Sequence, residues 1–435
     1  MKYYSLRMKS PEVGFKEACI NGQAPDGGLY FPQYIPALTQ DWLKKFRSLS
    51  KAELAFSIMR PYVENSMPAH ELFRICEETF SFEFPLRQLR DGIYSLELYH
   101  GPTLSFKDVG ARFMSRCLSW FSRGDHPPIT VLVATSGDTG SAVANGFLNV
   151  DGVEVVILYP AGMVSKIQEL QMTTLGKNVR AFEVKGTFDD CQRMVKEAFS
   201  DEELKKNLYL TSANSINVAR WLPQQVYYFF ALQQWSAECP PVFSVPSGNF
   251  GNICSGLLAF KSGMPSSHFI AACNSNKVFT EFMKSGIYSP IKSVSTISNA
   301  MDVGNPSNFS RVMELFGKSH GDMKKVISSY SVNDHQTEET LWEVYRKDGY
   351  LLDPHGAVAC RALMNYQEKH PGEPGIILET AHPVKFGEII ETITEEAVRI
   401  PSSVKPLLEL QKQTEVIAPL YNELKNRLSR NELKY

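Results

Sequence analysis

The sequence predicts a doubly wound α/β protein with mostly parallel strands, and three observations support that fold class. From residue 129 onward, short runs of apolar and β-branched residues alternate with longer amphipathic segments. The short runs are apolar throughout, which is typical of strands covered on both faces of a sheet. The regular alternation of strand and helix predicts parallel strands joined by helical crossovers.

The predicted strands share this continuous apolar character. They cover residues 129–135, 153–159, 179–184, 208–213, 241–247, 268–274 and 375–380. Helical spacing predicts helices over 141–150, 165–175, 187–199, 216–235, 252–263, 277–286, 337–348 and 356–369. In the C-terminal tail, apolar residues recur every three or four positions, which predicts a helix with one face packed on the body. These residues are Ile417, Tyr421, Leu424 and Leu428.

The chain is expected to divide into two parts. Residues 1–92 are rich in helical patterns and Pro, and they are interpreted as a separate helix-rich N-terminal domain. Residues 93–435 are interpreted as one catalytic domain, with a smaller mobile subdomain over about 110–215. The segment 299–311 is rich in Gly, Asn and Pro and predicts a loop.

Composition limits the classes of protein to consider. The 435 residues include 45 Lys and Arg against 47 Asp and Glu, for a formal net charge of −2. Nucleic-acid binding needs an excess of cations, so we expect no nucleic-acid partner. No apolar run approaches the ~18–20 residues that cross a bilayer, and the first residues do not resemble a secretory signal. The sequence therefore predicts a cytoplasmic protein without membrane contact.

Several sequence motifs are missing. The chain has no G-x-x-x-x-G-K-[ST] or G-x-G-x-x-G pattern, which disfavours nucleoside triphosphatases and dinucleotide oxidoreductases. It also lacks the G-x-S-x-G nucleophile elbow. The eight cysteines form no C-x-x-C pair and the nine histidines are scattered, so we expect free thiols and no metal site.

Three glycine- or serine-rich turns each follow a predicted strand and precede a helix. They are ATSGDTGSA (134–142), SANSINVAR (212–220) and VPSGNFGNICSG (245–256). One such turn is usually only a loop between two elements. In doubly wound sheets, however, ligands bind at the carboxyl ends of strands, and N–H groups at a helix start hold anions. Three such turns in one chain predict a shared anion-binding edge.

Lys107 is the candidate nucleophile. It follows Phe106 and begins a predicted helix that carries Val109, Phe113 and Cys117. A lysine there is commonly a solvated charge, but a helix N-terminus disfavours cations and desolvation lowers the pKa of an amine. An amine of lowered pKa is unprotonated in a larger fraction at neutral pH, and only the unprotonated amine attacks a carbonyl group. Together with a phosphate cradle and a carboxylate loop, Lys107 indicates a pyridoxal-phosphate site.

The same motifs resemble a known family. HGPTLSFKD, ATSGDTGSA, SANSINVARWLPQ, VPSGNFGN and ETAHPVKF, with DGGLYFP near the start, are similar to threonine synthases of the bacterial and fungal type. The resemblance implies a fold type II pyridoxal-phosphate enzyme, similar to the tryptophan-synthase β-subunit. It implies a carbon–oxygen lyase that converts O-phospho-L-homoserine and water into L-threonine and phosphate, the last step of threonine biosynthesis.

The resemblance also implies roles for the cofactor residues. Lys107 would bind pyridoxal 5′-phosphate covalently and act as the main proton shuttle. The cofactor phosphate would be held by Gly248, Asn249, Phe250, Gly251 and Asn252. The Thr380 hydroxyl would face the pyridine nitrogen. Asp138 would face the cofactor's 3′-oxygen, where many relatives of this fold have Asn, and a carboxylate there would repel a phenolate unless one of them is protonated.

The remaining predicted residues bind substrate. The resemblance assigns the substrate carboxylate to Thr135, Ser136, Gly137 and Thr139. It assigns the region of the substrate phosphate to Ser212, Ser215, Asn217 and Arg220. Arg220 suits that role because a guanidinium makes paired contacts with phosphate oxygens. Lys385 is a second cationic candidate.

Alternatives remain at this point. Within the same fold, a phospholyase or a threonine dehydratase would release 2-oxobutyrate instead of threonine. From another class, a non-catalytic α/β protein could use the three loops to bind a nucleotide. The sequence predicts a monomer or homodimer, because the apolar cluster 227–230 fits either core packing or a subunit contact.

Overall fold

The computed structural model describes residues 1–123 and 128–429, which form two mainly parallel sheets, a short N-terminal ribbon and surrounding helices. The strands in chain order are β1 (Tyr3–Ser5), β2 (Tyr30–Pro32), β3 (Leu86–Arg90), β4 (Ile93–Glu97), β5 (Ile129–Ala134), β6 (Val153–Pro160), β7 (Val179–Val184), β8 (Tyr209–Thr211), β9 (Val242–Pro246), β10 (His268–Cys273), β11 (Ile327–Ser331), β12 (Gly375–Glu379) and β13 (Glu415–Ile417).

The helices cover the sheets and build the N-terminal region. In chain order they are α1 (Phe15–Asn21), α2 (Gln40–Lys45), α3 (Lys51–Val63), α4 (Ala69–Thr79), α5 (Lys107–Phe121), α6 (Asp138–Gly146), α7 (Lys166–Thr173), α8 (Phe188–Ser200), α9 (Glu202–Asn207), α10 (Val218–Trp221), α11 (Gln225–Gln234), α12 (Gly251–Lys261), α13 (Val278–Ser285), α14 (Phe309–Leu315), α15 (His320–Val326), α16 (Asp334–Asp348), α17 (Pro354–Gln367), α18 (Gly387–Thr394) and α19 (Tyr421–Ser429).

The larger sheet has the strand order β11-β10-β9-β12-β4-β3. Neighbouring strands within this sheet are parallel, except that β3 is antiparallel to β4. Gly375, the first residue of β12, lies opposite the first residues of β9 and β4, Val242 and Ile93. Each strand has five residues, so their carboxyl ends lie at one edge of the sheet. Their side chains are almost all buried, as expected for strands between helical layers.

The smaller sheet has the order β13-β7-β6-β5-β8, and every neighbouring pair is parallel. Four of its strands match the runs predicted from the sequence, whereas β13 comes from the polar C-terminal tail. Ile417 is buried there together with Leu424 and Leu428 of α19. The doubly wound α/β fold class is therefore confirmed. Strands β3, β4 and β11 of the larger sheet and β13 of the smaller sheet lie outside the runs predicted from the sequence.

The N-terminal region contains the β1–β2 ribbon and helices α1–α4. It packs on the catalytic region, where Phe15 of α1 meets Phe121 of α5 with ring centroids 6.1 Å apart. The expected boundary after residue 92 falls between β3 and β4, two strands of the larger sheet. Because β3 belongs to that sheet, the boundary fits better before residue 86, and the division into domains stays a prediction.

One long predicted helix is divided in the structure. Residues 216–235 form α10 and α11, separated by a 3₁₀ turn at Leu222–Gln224. Pro223 lies in that turn, where its missing N–H and fixed φ disfavour a continuous α-helix. The apolar cluster 227–230 is entirely buried, so these side chains belong to the core.

Membrane-spanning helices, metal-binding clusters and disulfides are absent from residues 1–123 and 128–429. No helix there is both long and apolar enough to cross a membrane. No group of three or more His, Cys, Asp or Glu side chains is arranged to hold a metal ion. The cysteines are free thiols, and only Cys239 is exposed.

Candidate active site

Lys107 lies at the carboxyl edge of the larger sheet. The chain leaves β4 through a loop that ends at Lys107, the first residue of α5. Two backbone contacts hold this loop against the segment that follows β12. The Phe106 N–H donates to the Thr380 carbonyl at 2.9 Å, and Ser105 bridges to Ala381. Lys107 and Thr380, two of the predicted cofactor residues, are thereby brought to the same edge.

The Lys107 side chain is 18% exposed and its amine faces mostly protein. Desolvation lowers its pKa, and the nearby positive charges of Lys385 and Arg220 act in the same direction. The carboxylate of Asp138, 3.5 Å from Nζ, only partly offsets these effects. A lysine with a lowered pKa is a better nucleophile and base near neutral pH.

Asp138 begins α6 and lies between two lysines. Its carboxylate is 2.7 Å from Lys385 Nζ and accepts a hydrogen bond from Gln168 Nε2 at 2.9 Å. Burial alone would raise the pKa of Asp138, but Lys385, Lys107 and the Gln168 amide outweigh it and hold the pKa far below its usual range. The carboxylate is therefore ionised. The positive charge of Lys385 beside it would offset part of the repulsion that the sequence predicted toward a phenolate.

The loop 247–252 follows β9 and leads into α12. Among the described residues, none of the six consecutive N–H groups from Gly248 to Ile253 has a hydrogen-bond acceptor. A Cβ on Gly248 would lie 2.8 Å from Met301 Cα, so this position requires glycine. Phe250 has a left-handed backbone, with φ 62°, and its ring packs on Phe279. Phe250 thus contributes its backbone, and the loop forms an anion cradle.

Two asparagines flank this cradle. The Asn249 carbonyl accepts hydrogen bonds from the N–H and the Nδ2 of Asn308, at 3.2 and 3.0 Å. Asn252 Oδ1 accepts from Tyr228 Oη at 3.1 Å, whereas its buried Nδ2 has no partner among the described residues. A buried amide donor without a partner is costly unless a ligand accepts from it.

The residues present fit pyridoxal phosphate. Lys107 supplies an amine of lowered pKa, and the loop after β9 supplies unpaired N–H donors for a phosphate. The Thr380 hydroxyl has no hydrogen-bond partner among the described residues and is available for a ring nitrogen. These groups all lie at the ends of the neighbouring strands β4, β9 and β12.

The loop 135–139 joins β5 to α6. The Thr135 hydroxyl accepts hydrogen bonds from the N–H groups of Gly137 and Gly140, at 3.0 and 2.8 Å. Gly137 has φ 136°, and a Cβ there would lie 2.5 Å from the Gln168 side chain. The N–H groups of Ser136, Asp138 and Thr139 have no acceptor among the described residues. Thr135 therefore shapes the loop, and its backbone offers donors to a carboxylate.

The loop 212–217 follows β8. Ser212 Oγ accepts from the Asn214 N–H at 3.3 Å, and Ser215 Oγ accepts from Asn308 Nδ2 at 3.2 Å. Asn217 is completely buried and donates its amide hydrogens to the carbonyls of Cys19 and Ser212. Its hydrogens are thus used inside the protein, which favours a positioning role over the predicted contact with substrate.

Arg220 is buried beneath α5. One of its guanidinium N–H groups donates to the Ala213 carbonyl, and its Nε has no partner among the described residues. The side chain packs so closely on Gly110 that a Cβ there would lie 3.0 Å from Nε. Burial lowers the pKa of Arg220 to about 10, which still leaves it charged at neutral pH. An incompletely paired guanidinium suits an anionic ligand.

Positive charge dominates the site. Lys107, Lys385 and Arg220 lie close enough to influence one another, and Asp138 is the carboxylate that forms ion pairs with the two lysines. The neighbouring Asp108 is occupied by hydrogen bonds from the N–H and the hydroxyl of Thr103, and burial raises its pKa. The site is therefore arranged for anionic ligands.

Sequence reasoning missed several residues that support these loops. Gln168 holds Asp138, and Asn308 and Arg311 contact the loops 212–217 and 247–252. The pattern gave no signal for Gln168, which lies on a different helix. Asn308 and Arg311 fall in the segment 299–311, whose composition indicated only a loop, although α14 begins at Phe309.

Comparisons with known proteins agree with this geometry. A family model described as pyridoxal-phosphate dependent enzyme matches residues 83–379. Models of the threonine synthase N terminus and C-terminal region match residues 2–80 and 356–426. Threonine synthase of Escherichia coli is 41% identical over 412 residues, 94% of this chain and 95% of that protein. Threonine synthase of Schizosaccharomyces pombe is 34% identical over 90% of this chain and 88% of that protein.

Solved structures resemble the whole chain. The crystal structure of threonine synthase from Escherichia coli superposes with a TM-score of 0.92 at 40% identity, covering 98% of this chain and 99% of that one. A PLP-bound threonine synthase from Brucella melitensis also gives 0.92, at 34% identity and 98% coverage of both chains. A threonine deaminase from Solanum lycopersicum, at 17% identity and a TM-score of 0.54, shares the fold alone. The chain belongs to the threonine synthase family of pyridoxal-phosphate-dependent enzymes.

Proposed function

We infer that this chain converts O-phospho-L-homoserine and water into L-threonine and phosphate, with pyridoxal phosphate as cofactor. The observation that carries this function is the pairing of a reactive lysine with two separate anion-binding loops. Lys107 lies at one sheet edge with the unpaired N–H groups of 248–253, and Arg220 follows the second loop, 212–217. One loop suits the cofactor phosphate and the other suits a phosphorylated substrate.

Each cofactor contact has a residue suited to it. Lys107 would bind the cofactor carbonyl covalently, the loop 248–252 would hold its phosphate and the Thr380 hydroxyl would face its ring nitrogen. Asp138, held by Lys385 at 2.7 Å, would lie toward its 3′-oxygen. When bound, pyridoxal phosphate withdraws electrons from the substrate's α-carbon and stabilises the charge that proton removal leaves there.

Lys107 is the base for the reaction. Once substrate has displaced it, its free amine can take the proton from Cα, and after releasing that proton it can take one from Cβ, so that phosphate can leave from Cγ. The same group can return protons to Cγ and Cα as water adds at Cβ. Desolvation keeps the pKa of this amine below its ordinary value, so more of it is unprotonated at neutral pH. The long side chain can reach neighbouring carbons on one face of the substrate, which a short carboxylate could not.

The other predicted residues bind and orient the substrate. The N–H groups of Ser136, Asp138 and Thr139 would receive the carboxylate. Arg220, with the loop of Ser212 and Ser215, would receive the phosphate and stabilise its charge as it leaves. Lys385 differs from the prediction in one respect. Its Nζ already contacts Asp138 and the Thr103 carbonyl, at 2.7 and 2.8 Å, so we assign it to holding Asp138.

A product assay separates this function from its alternatives. The purified protein, loaded with pyridoxal phosphate, is incubated with O-phospho-L-homoserine while phosphate, threonine and 2-oxobutyrate are measured. We expect phosphate and threonine in equal amounts. Phosphate with 2-oxobutyrate would identify a phospholyase, and 2-oxobutyrate from threonine would identify a dehydratase. Failure to take up the cofactor would contradict the Lys107 assignment.

Three further properties stay proposals. We propose that the enzyme acts in the cytoplasm, without a nucleic-acid partner, and as a monomer or homodimer. The burial of the cluster 227–230 accounts for its apolar character by core packing, so that cluster gives no support to a dimer. Light scattering coupled to size exclusion would measure the mass of the particle directly.

A further inference from the structure

Arg311 is a completely buried cation outside the predicted site. It lies in α14 and forms no ion pair with any described carboxylate. Its partners are neutral oxygens. Nε and Nη2 donate to the Tyr30 carbonyl at 3.2 and 3.0 Å, and Nη2 also donates to the Ile216 carbonyl at 2.6 Å. Nη1 donates to the Ser215 carbonyl at 3.2 Å and to Asn308 Oδ1 at 2.8 Å.

These bonds join three parts of the chain. Tyr30 belongs to β2 of the N-terminal region, and Ser215 and Ile216 belong to the loop after β8. Asn308 extends the connection, since its Nδ2 donates to the Asn249 carbonyl and to Ser215 Oγ. One guanidinium therefore connects the N-terminal region, the substrate-phosphate loop and the cofactor-phosphate loop.

The bonds also determine which way the loop 212–217 faces. In a trans peptide the C=O and N–H point in opposite directions, and the described residues contain no cis peptide. Because the Ser215 carbonyl faces Arg311, the N–H of Ile216 points away from the guanidinium. That N–H has no acceptor among the described residues. Arg311 thus holds an unpaired donor on the opposite side of this peptide.

A second contact supports the same arrangement. Asn217 Nδ2 donates to the Cys19 carbonyl at 2.8 Å, so the N-terminal region holds the loop at both sides of Ile216. The face of the guanidinium lies 4.4 Å from the Trp221 ring, immediately after Arg220. A buried guanidinium without a carboxylate partner is costly to maintain, and a positioning role gives a reason for it.

We propose that Arg311 is a positioning residue through which the N-terminal region holds the loop 212–217 in the orientation that receives the substrate phosphate. This inference rests on the proposed function, because it takes that loop to be the substrate-phosphate site. It gives the N-terminal region a role in substrate binding that its sequence did not reveal.

The test compares Arg311→Lys with the parent enzyme, both loaded with pyridoxal phosphate. Lysine keeps the charge but cannot make all five N–H bonds. We expect the KM for O-phospho-L-homoserine to rise about 10-fold or more, and kcat to change by less than about 3-fold. The visible absorbance of the bound cofactor and the unfolding midpoint should be nearly unchanged. Inorganic phosphate should inhibit the variant correspondingly less strongly.

Two further variants complete the experiment. Arg47→Lys removes another bond between the N-terminal region and the body, from Arg47 Nη1 to the Trp235 carbonyl, and it should leave KM unchanged. Asn308→Ala keeps the buried cation but removes the link to Ser215 and Asn249. It should raise KM in the same direction and also weaken cofactor binding. If Arg311→Lys does not fold, the KM of Asn308→Ala tests the proposal instead.

The outcomes separate the two proposals. A parent enzyme that makes no threonine contradicts the proposed function. A parent enzyme that makes threonine, with Arg311→Lys and Asn308→Ala showing unchanged KM and phosphate inhibition, overturns the role of Arg311 alone. If Arg311→Lys loses stability and kcat falls in proportion while KM is unchanged, the role of Arg311 is only to stabilise the fold.

Discussion

Two clusters of buried ionisable side chains lie near the carboxyl edge of the larger sheet, and they differ in what they face. The lysine cluster consists of Lys107, Asp138 and Lys385. The acid cluster consists of Asp353, His355 and Glu379, and Glu379 is the residue immediately before Thr380. Each cluster contains a group with a shifted pKa. Lys107 of the lysine cluster is partly exposed, whereas all three side chains of the acid cluster are buried.

The side chains of the acid cluster are buried away from solvent. Glu379 accepts the Asp353 N–H at 2.6 Å, and its second oxygen packs against Gly356, where a Cβ would lie 1.6 Å away. His355 bonds to Asp353 through Nδ1 and accepts the Ala300 N–H through Nε2 at 3.2 Å. Ala300 and Met301 form the backbone wall behind Gly248. This cluster therefore lies behind the loop that we propose holds the cofactor phosphate.

The comparison teaches that a shifted pKa does not by itself identify a catalytic group. Burial raises the pKa of Glu379 well above its usual range, and the neighbouring Asp353 reinforces the shift. Burial lowers the pKa of Lys107. What distinguishes Lys107 is a partly exposed amine near the positive charges of Lys385 and Arg220. Variants of both clusters test that distinction.

Lys107→Met should have the largest effect. It removes the covalent attachment and the base together, so we expect threonine formation to fall about 10⁴-fold or more. The visible absorbance of bound cofactor should disappear. Since burial disfavours the charged amine, cofactor-free Lys107→Met should unfold at the same or a higher urea concentration than the parent protein. A clear loss of stability would show that the fold depends on this ammonium.

Lys385→Met should have the next largest effect. It leaves the buried Asp138 carboxylate with the Gln168 amide and with Lys107, whose amine is 3.5 Å away. Less positive charge then offsets the repulsion proposed between this carboxylate and the cofactor's 3′-oxygen. We expect kcat/KM to fall about 100-fold. The double variant Lys385→Met, Asp138→Asn should recover part of that loss, because the carboxylate that needs Lys385 is gone. If the effects of the two substitutions on kcat/KM simply multiply in the double variant, the proposed coupling between Lys385 and Asp138 is wrong.

In the acid cluster, Asp353→Ala should act on stability. Asp353 caps α17 and accepts the His355 ring N–H, so its loss leaves buried donors without their acceptor. We expect about 2–3 kcal/mol of lost stability in urea unfolding, with kcat of the remaining folded enzyme within about 3-fold of the parent. A fall in kcat comparable to that of Lys107→Met would overturn the contrast between the clusters.

Glu379→Gln should have the smallest effect on turnover. A carboxyl group with a raised pKa in the folded state contributes stability below its ordinary pKa and loses it as pH rises toward the folded value. Glutamine lacks this dependence. The stability of Glu379→Gln relative to the parent protein should therefore increase as the pH rises above about 5, while kcat stays nearly constant. Parallel stability curves for the two proteins would contradict the raised pKa.

The sequence could predict most of the fold and the outline of the site. The strands β5, β6, β7, β9, β10 and β12 are apolar runs, so their pattern was visible. Strand β11, ISSYS, and strand β13 are short and polar, and they form because a neighbouring strand offers an edge. Pairing between strands that are far apart in the sequence leaves no pattern in the local residues that would predict the strand.

The same limit applies to the site. Lys107 and the glycine loops were recognisable because backbone requirements fix their residue types locally. Lys385 was recognised as a cation, but its attachment to Asp138 depends on two distant segments. Arg311 is an ordinary arginine in the sequence, and only the packing of three regions around it distinguishes it.

The pairing of β13 with β7 has a consequence for biosynthesis of the protein. The smaller sheet is closed at this edge by a strand that the ribosome makes only after β9 to β12 of the larger sheet. Until then β7 presents free N–H and C=O groups, which other nascent chains can pair with. The exposed edge makes the incomplete polypeptide prone to aggregation, and we expect it to need chaperone protection that the finished enzyme does not.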